Sequence, residues 1–382
     1  MNKFVAALTW LLGGLLATTA ALSAAGADPQ PVSQEPIPIP VWTVEDVALS
    51  GYANALAVDA GDDPHLLTID PTTGVLRYAM RDYYGWHFED VADESLDTPY
   101  LDFDLQIGPD KKPCLVYATE KPVASEPLDT KLVYGCRGED GWALTSIEDG
   151  GREPRLAIDD RGRPHIALIQ GYEAVYMTRE GETWHREVAG SHGVYMNHVY
   201  LMLNDSTPVI VYSDTQGQYR ADRGGGLWVS TPLPQPTIYD AVLLETDFLW
   251  LAVNDGEAAW GHPPFFLARL KLIEPWDEGP ADWDTIEEAY DWQIKVDLAM
   301  DPHGGYILMA YLDPEGALQY LWWADEGIRY DSPRAHGDSE VSLAATGDEQ
   351  FIAFADANQL KLAERKVVWF DNWQYAPVVV AP

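Results

Sequence analysis

The chain has 382 residues, with 61 acidic against 24 basic side chains and a formal net charge of -37. Such a surface repels nucleic-acid phosphates and anionic membranes, which excludes nucleic acid as a partner and favours cations, basic proteins or neutral glycans. Hydrophobic residues make up 47% of the chain and aromatic residues 12%, a composition that excludes a disordered acidic chain and can fill a large core.

The N-terminal segment, residues 1–27, combines one early cation, an apolar run from Phe4 to Ala25 and small residues up to Ala27. This pattern is typical of a secretory signal peptide, and we expect cleavage after Ala27. A membrane anchor is the alternative, although the apolar run is short and interrupted by Gly and Thr. The mature chain is therefore expected to be secreted, either extracellular or periplasmic, without membrane insertion. The Pro-rich residues 28–40 predict an extended tether.

A repeat fills residues 41–382, which we interpret as a single domain. Leu56–Asp59 leads through a turn to a strand at Pro64, and Leu156–Asp159 leads in the same way to Pro164. Each unit has four short apolar or alternating runs and no helical period. The position that opens the fourth run recurs every 42 to 56 residues, at Trp42, Trp86, Trp142, Trp184, Trp228, Trp283, Ile328 and Trp373. Seven intervals of this length predict an all-β fold, a seven-bladed β-propeller of four-stranded antiparallel blades.

The repeated polar residues have structural interpretations. Asp59 and Asp159 are expected to accept backbone N–H groups in the turn after the first strand of their units. His65 and His165 occupy one repeat position, so we interpret them as structural. The repeated Trp is expected to cap its sheet against the next blade. Val41–Leu49 resembles a fourth strand without its first three, and we expect it to complete the last blade, a role for which Trp373–Val380 competes.

The two cysteines, Cys114 and Cys136, lie on runs that we interpret as neighbouring antiparallel strands. An even pair in an exported chain predicts a disulfide between them. Two buried free thiols are the alternative. Two cysteines alone, without His-x-x-x-His or Cys-x-x-Cys spacing, do not support a metal site.

The repeat resembles the secreted bacterial propellers of the BNR or sialidase-like superfamily. The resemblance rests on Asp159–His165 and on Thr178-Arg-Glu-Gly-Glu-Thr-Trp184, which is similar to the Asp-box of that superfamily but has Glu for Asp and one residue fewer before the Gly. The resemblance implies a propeller but not an activity. The superfamily's Arg-Ile-Pro element is absent, and its nearest counterpart, Arg155-Leu, lacks the Pro, so sialidase activity is not expected.

Candidate binding residues lie where the innermost strands begin, at the face that propellers commonly use. They are Tyr52, Asn54, Tyr100, Arg155, His198, Tyr239 and His336. If Tyr, His and Arg converge, the catalytic set of a polysaccharide lyase would be His198, Tyr100, Tyr239 and Arg155, with Arg neutralising a uronate and His or Tyr moving protons. The alternative is that they line a non-catalytic binding face.

A further group of carboxylates follows the second strands: Asp70, Asp214, Asp255, Asp313 and Asp356. Converging carboxylates could hold Ca²⁺, whereas separate ones cap their own turns. No cofactor is required by any motif. The sequence therefore predicts a monomeric, non-catalytic propeller that recognises a glycan or an extracellular protein. The alternative is a secreted carbohydrate-active enzyme, a lyase before a glycoside hydrolase.

Overall fold

The computed structural model describes residues 37–51, 54–92, 102–119, 131–147, 150–204, 206–233, 237–244, 248–254, 265–271, 282–287, 296–301, 306–313, 315–324, 327–347 and 349–370. Residues 39–368 form one compact unit, to which the description below applies. The other unit comprises residues 1–38 and 369–382, so the expected signal peptide and most of the tether lie outside the described residues. No described segment is a helix that is long and apolar enough to span a membrane.

Every regular element of the described chain is a β-strand. The first fourteen strands are β1 (Ile37–Ser50), β2 (Asn54–Val58), β3 (Pro64–Ile69), β4 (Leu76–Asp82), β5 (Gly85–Asp90), β6 (Asp102–Ile107), β7 (Pro113–Thr119), β8 (Lys131–Gly138), β9 (Gly141–Ile147), β10 (Arg152–Ile158), β11 (Pro164–Gln170), β12 (Glu173–Glu180), β13 (Thr183–Ser191) and β14 (Met196–Asn204). The remaining strands are β15 (Thr207–Asp214), β16 (Gln218–Gly224), β17 (Leu227–Leu233), β18 (Thr237–Leu244), β19 (Phe248–Asn254), β20 (Phe265–Lys271), β21 (Asp282–Glu287), β22 (Val296–Met300), β23 (Ile307–Leu312), β24 (Leu318–Ala324), β25 (Gly327–Asp331), β26 (Ser342–Ala345), β27 (Glu349–Asp356) and β28 (Gln359–Phe370).

The strands are grouped into seven four-stranded sheets, in which consecutive strands pair antiparallel. Sheets one to six take β2–β5, β6–β9, β10–β13, β14–β17, β18–β21 and β22–β25, and sheet seven has the order β1-β28-β27-β26. The first strand of each sheet contacts the first strand of the next, and β26 contacts β2 in turn. The seven first strands therefore form a closed ring, which is the arrangement of a propeller.

The chain closes this ring through β1. It lies at the outer edge of sheet seven, beside β28, so the expectation that Val41–Leu49 completes the last blade is confirmed. The Nζ of Lys361 binds Asp46 at 3.0 Å, and the side-chain nitrogen of Gln359 donates to the carbonyl oxygen of Leu49 at 3.3 Å. The competing segment, Trp373–Val380, lies outside the described residues. Strand β1 begins at Ile37, within the segment that was predicted to be a tether.

The repeated Trp packs in the opposite direction to the one we expected. Trp142 of sheet two meets Tyr78 of sheet one edge-on at 5.2 Å, and Trp228 of sheet four meets Tyr176 of sheet three at the same distance. Each Trp therefore covers the preceding sheet, because the sheets follow one another around the ring and the third strand presents its Tyr toward the next sheet. Aromatic pairs in this geometry add to the energy of simple burial.

The structural interpretations of the repeated Asp and His are confirmed where the residues are described. Oδ1 of Asp159 accepts the backbone N–H groups of Arg161 and Arg163. The buried ring of His165 is bonded through Nδ1 to the hydroxyl of Tyr176 at 2.6 Å, and His65 has the same partnership with Tyr78.

The predicted disulfide is present. Cys114 on β7 pairs directly across from Cys136 on β8, and the two residues are disulfide-bonded with a Cα–Cα distance of 4.0 Å. The bond lies beside the apolar core shared by sheets two and three.

Candidate functional site

A cavity of about 540 Å³ opens between sheets three and four, where their first strands begin and the second strand of sheet four ends. It is lined by Arg152, Glu153, Tyr195, Asn197, His198, Ser213, Asp214, Thr215, Gln216, Gly217 and Gln218. Most of these residues are polar, and two of them, Tyr195 and His198, carry aromatic rings. Clefts with a few fixed polar groups are the usual form of small-molecule sites.

Two irregular strands shape the cavity. The pairing of β10 with β11 shifts register between Arg152 and Arg155, and the pairing of β14 with β15 shifts between Met196 and His198. Within the first shift Glu153 has a φ of 51°, a conformation that is uncommon for a residue other than glycine. Bulges of this kind redirect side chains, and here they turn Glu153 and Asn197 toward the cleft.

Arg152 is fixed in place by neighbouring protein groups. One terminal nitrogen donates to Oε1 of Glu153 at 3.3 Å and to the carbonyl oxygen of Asn197 at 3.4 Å, and the other donates to the carbonyl oxygen of Met196. Its guanidinium lies 4.6 Å from the ring centroid of Tyr195. A cation and the face of an aromatic ring attract each other, so Arg152 helps to hold the Tyr195 ring in position. Tyr195 as a whole residue is 55% exposed.

His198 and Glu153 form an imidazole–carboxylate pair across the two sheets. Nδ1 of His198 lies 3.2 Å from Oε2 of Glu153, and the backbone N–H of His198 donates to Oγ of the buried Ser213 at 3.1 Å. The His198 ring is about half exposed. The carboxylate orients the imidazole and leaves its other nitrogen directed away from the pair.

Asp214 forms the inner wall of the cavity, and its side chain is fully buried. Its Oδ1 accepts the backbone N–H groups of Gln216 at 2.6 Å and Gly217 at 3.0 Å, while its Oδ2 lies 2.7 Å from Nδ1 of His192. Both carboxylate oxygens are therefore engaged, and one of them caps the turn after β15.

Gln218 supplies the one polar atom of this lining that is buried without a partner. The residue is only 9% exposed, and its Oε1 accepts no hydrogen bond from the described protein groups. Buried polar atoms without partners are rare in folded proteins, because each loses its hydration without compensation. An amide oxygen can only accept, and this one is an uncompensated acceptor buried within the wall.

The structure places the seven predicted binding residues in different surroundings. His198 lines the cavity, whereas Arg155 lies just outside it and donates to the carbonyl oxygen of Val199 at 3.3 Å. Asn54 is buried and donates to the carbonyl oxygen of Glu340 at 2.8 Å, just before the first strand of the neighbouring sheet seven.

The other four predicted residues are not brought to the cavity by any described contact. His336 is exposed and forms an isolated bridge with Ala317 in sheet six. Tyr52 and Tyr100 lie outside the described residues. Tyr239 lies on β18, but its side chain is not described. Their predicted roles stay predictions.

Sequence analysis missed Arg152, Glu153, Tyr195, Asn197 and Gln218. A signal existed at Arg152 and Glu153, which follow Gly150 and Gly151 at the start of a first strand and break the alternation of its apolar positions. The sequence analysis placed the start of this strand at Arg155 instead, because the bulge between Arg152 and Arg155 has no signature in the sequence.

Three of the five carboxylates considered for Ca²⁺ act as turn caps. Asp70, Asp214 and Asp313 each accept two backbone N–H groups through Oδ1. Asp356 is exposed near Lys361, and Asp255 lies outside the described residues. Within the described ranges no group of three or more His, Cys, Asp or Glu could hold a metal ion.

Comparisons with known proteins bear on the fold. No protein-family model matches the chain, and no curated protein matches it. A chain of the mitotic checkpoint complex is 10% identical and covers 92% of this chain and 99% of its own length, with a TM-score of 0.56. A lectin from Aleuria aurantia, described as a six-bladed β-propeller with a novel fucose recognition mode, is 13% identical over 76% of this chain and 97% of the lectin, with a TM-score of 0.47.

AofleA from Arthrobotrys oligospora is 10% identical, covers 77% of this chain and 90% of its own, and has a TM-score of 0.48. At these identities the likeness concerns the fold, an all-β propeller with four-stranded antiparallel blades. Membership of the BNR or sialidase-like superfamily is not shown.

The blade number is where the comparison and the sequence expectation differ. The repeat spacing predicted a seven-bladed form, whereas the Aleuria lectin is described as six-bladed. With a TM-score below 0.5 the lectin gives no blade-by-blade correspondence, and the description of this chain rests on its own seven sheets.

Proposed function

We propose that the protein is an exported, non-catalytic propeller that binds a glycan in the cavity between sheets three and four. The observation that carries the proposal is the half-exposed Tyr195 ring, held by Arg152 beside amide, hydroxyl and carboxylate groups. Sugars present an apolar C–H face and a ring of hydroxyl groups. An aromatic platform with convergent polar groups is suited to both.

A hydrolytic role is disfavoured by how the carboxylates are used. Glycoside hydrolysis needs two carboxyl groups that face the scissile bond, one of them available as an acid. Asp214 is buried and bonded through both oxygens, and Glu153 is paired with Arg152 and His198. Neither is available to exchange protons with a bound sugar, which favours binding.

A glycan array followed by calorimetry on the purified full chain tests this proposal. The array should include fucosides, because the Aleuria lectin is described as recognising fucose. We expect binding to at least one oligosaccharide and a loss of about tenfold or more in affinity for Tyr195→Ala, the value of one aromatic contact. Tyr172→Ala is the matched control, since Tyr172 lies in a turn of the adjoining sheet three, is 57% exposed and does not line the cavity. Equal losses in both variants, or no bound glycan, would contradict the proposal.

The second candidate, a polysaccharide lyase, is favoured by one observation. The pairing of His198 with Glu153 resembles the arrangement in which a carboxylate orients an imidazole base. The test is absorbance of the unsaturated uronate product on alginate-, pectin- and ulvan-like substrates. Turnover that disappears in His198→Gln but not in His185→Gln, an exposed histidine of sheet three, would favour the lyase over the binding protein.

Export is part of the proposal and rests on the N-terminal pattern together with the disulfide. Disulfides persist mainly in oxidising compartments. N-terminal sequencing of the protein recovered from periplasm or medium should begin at Asp28, directly after the expected cleavage at Ala27. Recovery of the full chain only from the cytoplasm would contradict export.

A further inference from the structure

The aspartate that caps the turn after the second strand is held differently in sheet four than in sheets one and six. In sheet one, Oδ2 of Asp70 lies 2.7 Å from a terminal nitrogen of Arg77. In sheet six, Oδ2 of Asp313 accepts from the side-chain amide of Gln319 at 2.8 Å. Arg77 and Gln319 lie on the third strand of their sheet, and each pairs with the residue two positions before its aspartate. In these two sheets the carboxylate is therefore bonded from within its own sheet.

In sheet four a tyrosine, Tyr219, occupies the equivalent position on the third strand, because it pairs with Tyr212 two positions before Asp214. Oδ2 of Asp214 is bonded instead to Nδ1 of His192, at 2.7 Å. His192 lies between β13 and β14, in the connection from sheet three to sheet four. Its imidazole packs on the ring of Tyr219, with the ring centroids 4.0 Å apart. The partner of the aspartate has thus moved from the third strand to the connection between the sheets.

The contact between His192 and Asp214 joins two segments that line the cavity. The connection that carries His192 continues to Tyr195, and the turn that Asp214 caps carries Gln216. A second link runs between the same segments, since the backbone N–H of Thr215 donates to the carbonyl oxygen of Tyr195 at 3.2 Å. His192 itself does not line the cavity. It can therefore influence a ligand there only through the residues that it holds.

We infer that His192 is a positioning residue of the glycan site, which acts through Asp214 to hold the segment of Tyr195 against the turn between β15 and β16. The inference rests on the proposed glycan-binding function. A site whose walls are fixed before the ligand arrives loses less freedom on binding, so its affinity depends on supporting contacts that never touch the ligand. An ionised carboxylate only accepts hydrogen bonds, so the contact requires a donor at the position of Nδ1.

Calorimetry on the full chain, with the oligosaccharide that binds best on the array, measures the effect. His192→Ala should bind about tenfold more weakly than wild type, because the segment of Tyr195 loses its link to Asp214. His192→Asn places an amide N–H where Nδ1 stood and should recover most of the affinity. His185→Ala, at an exposed histidine of sheet three, is the control and should bind like wild type. Urea denaturation checks that each variant is folded under the conditions of the titration.

A double variant separates positioning from a general loss of stability. In a Tyr195→Ala protein no ring is left to position, so adding His192→Ala should lower the affinity by about twofold or less. The inference is overturned if His192→Ala costs the same factor with and without the Tyr195 ring, or if His192→Asn binds no better than His192→Ala. In either case the glycan-binding function itself would stand. If wild type binds no oligosaccharide, the proposed function fails and the role of His192 fails with it.

Discussion

The guanidinium of Arg223 binds both carboxylate oxygens of Glu187, at 2.6 Å and 2.9 Å, and thereby joins sheet four to sheet three. The indole N–H of Trp228 donates to the same carboxylate at 2.8 Å. One acidic side chain thus anchors the third and fourth strands of the following sheet. The pair is about one-third exposed, so water screens it only in part.

The same type of ion pair recurs at other boundaries between neighbouring sheets. Arg137 binds Glu89 between sheets two and one, and Arg365 lies 3.2 Å from Asp331 between sheets seven and six. Repetition at this position indicates that the pairs are part of how consecutive sheets are aligned. Arg137, Arg223 and Arg365 all lie on the third strands of their sheets, β8, β16 and β28.

Glu187→Ala is expected to lower the free energy of unfolding by about 2 kcal/mol, because it leaves Arg223 and the indole of Trp228 without their charge-assisted partner. Urea denaturation followed by Trp fluorescence measures the change. Glu182→Ala removes a carboxylate of the same sheet that is almost fully exposed, and should cost about 0.5 kcal/mol or less. If Glu187→Ala and Glu182→Ala lowered the free energy of unfolding equally, the ion pair between the two sheets would add nothing to stability.

Local chemistry made much of the fold predictable. The turn-capping role of Asp59 and Asp159, the burial of His65 and His165 and the pairing of the cysteines all follow from short sequence separations within one repeat. The position of β1 in the last sheet was predictable because Val41–Leu49 has the pattern of a fourth strand but is not preceded by the other three strands of a repeat unit. These features depend on strands that are neighbours in the chain.

The site was less predictable because it depends on contacts between sheets. Arg152 and Tyr195 are far apart in the sequence and meet only because β10 and β14 become neighbours in the ring. The bulge that turns Glu153 into the cleft is a property of backbone register, which the alternation of apolar residues does not encode at single-residue precision. His198 was predicted because it stands outside the repeat pattern.

Removal of the disulfide should destabilise the protein by about 3 kcal/mol. The bond joins residues separated by 22 positions, and a crosslink over a loop of that length restricts the unfolded chain by this amount. Urea denaturation of a Cys114→Ala, Cys136→Ala double variant measures the cost. Thiol labelling of the denatured, unreduced wild type should detect no free cysteine, and labelling of both positions would contradict the bond.

Stability should fall in acid through a buried histidine. Burial lowers the pKa of His65 from about 6.5 to about 4, so the unfolded chain binds a proton first as the pH falls. The contribution of neutral His65 to the free energy of unfolding is fully present above pH 6.5 and is lost as the pH falls toward 4. It amounts to at most about 3 kcal/mol.

The urea midpoint, measured every half unit of pH, should therefore decline less steeply between these limits in His65→Gln than in wild type. His87→Gln, at a position whose ring is more than half exposed, is the control and should keep the wild-type slope. If the urea midpoint of His65→Gln declined with pH as steeply as that of wild type, groups other than His65 would be responsible for the loss of stability in acid.

Gly151 controls how the chain enters the cavity. A Cβ placed at this residue would lie 2.4 Å from the carbonyl oxygen of Ile169 and 2.6 Å from a methyl carbon of Leu168, so the start of β10 must shift to accommodate it. Arg152 is the next residue, and its contact with Tyr195 would move with the strand.

Gly151→Ala should therefore cost about 1–3 kcal/mol of stability, the usual range for overpacking, and should also weaken glycan binding. Gly224→Ala is the matched control, because no atom lies within 4 Å of the added carbon. Both variants are measured by urea denaturation and calorimetric titration. A Gly151→Ala protein with the stability and affinity of Gly224→Ala would show that the close approach of the two strands does not position the site.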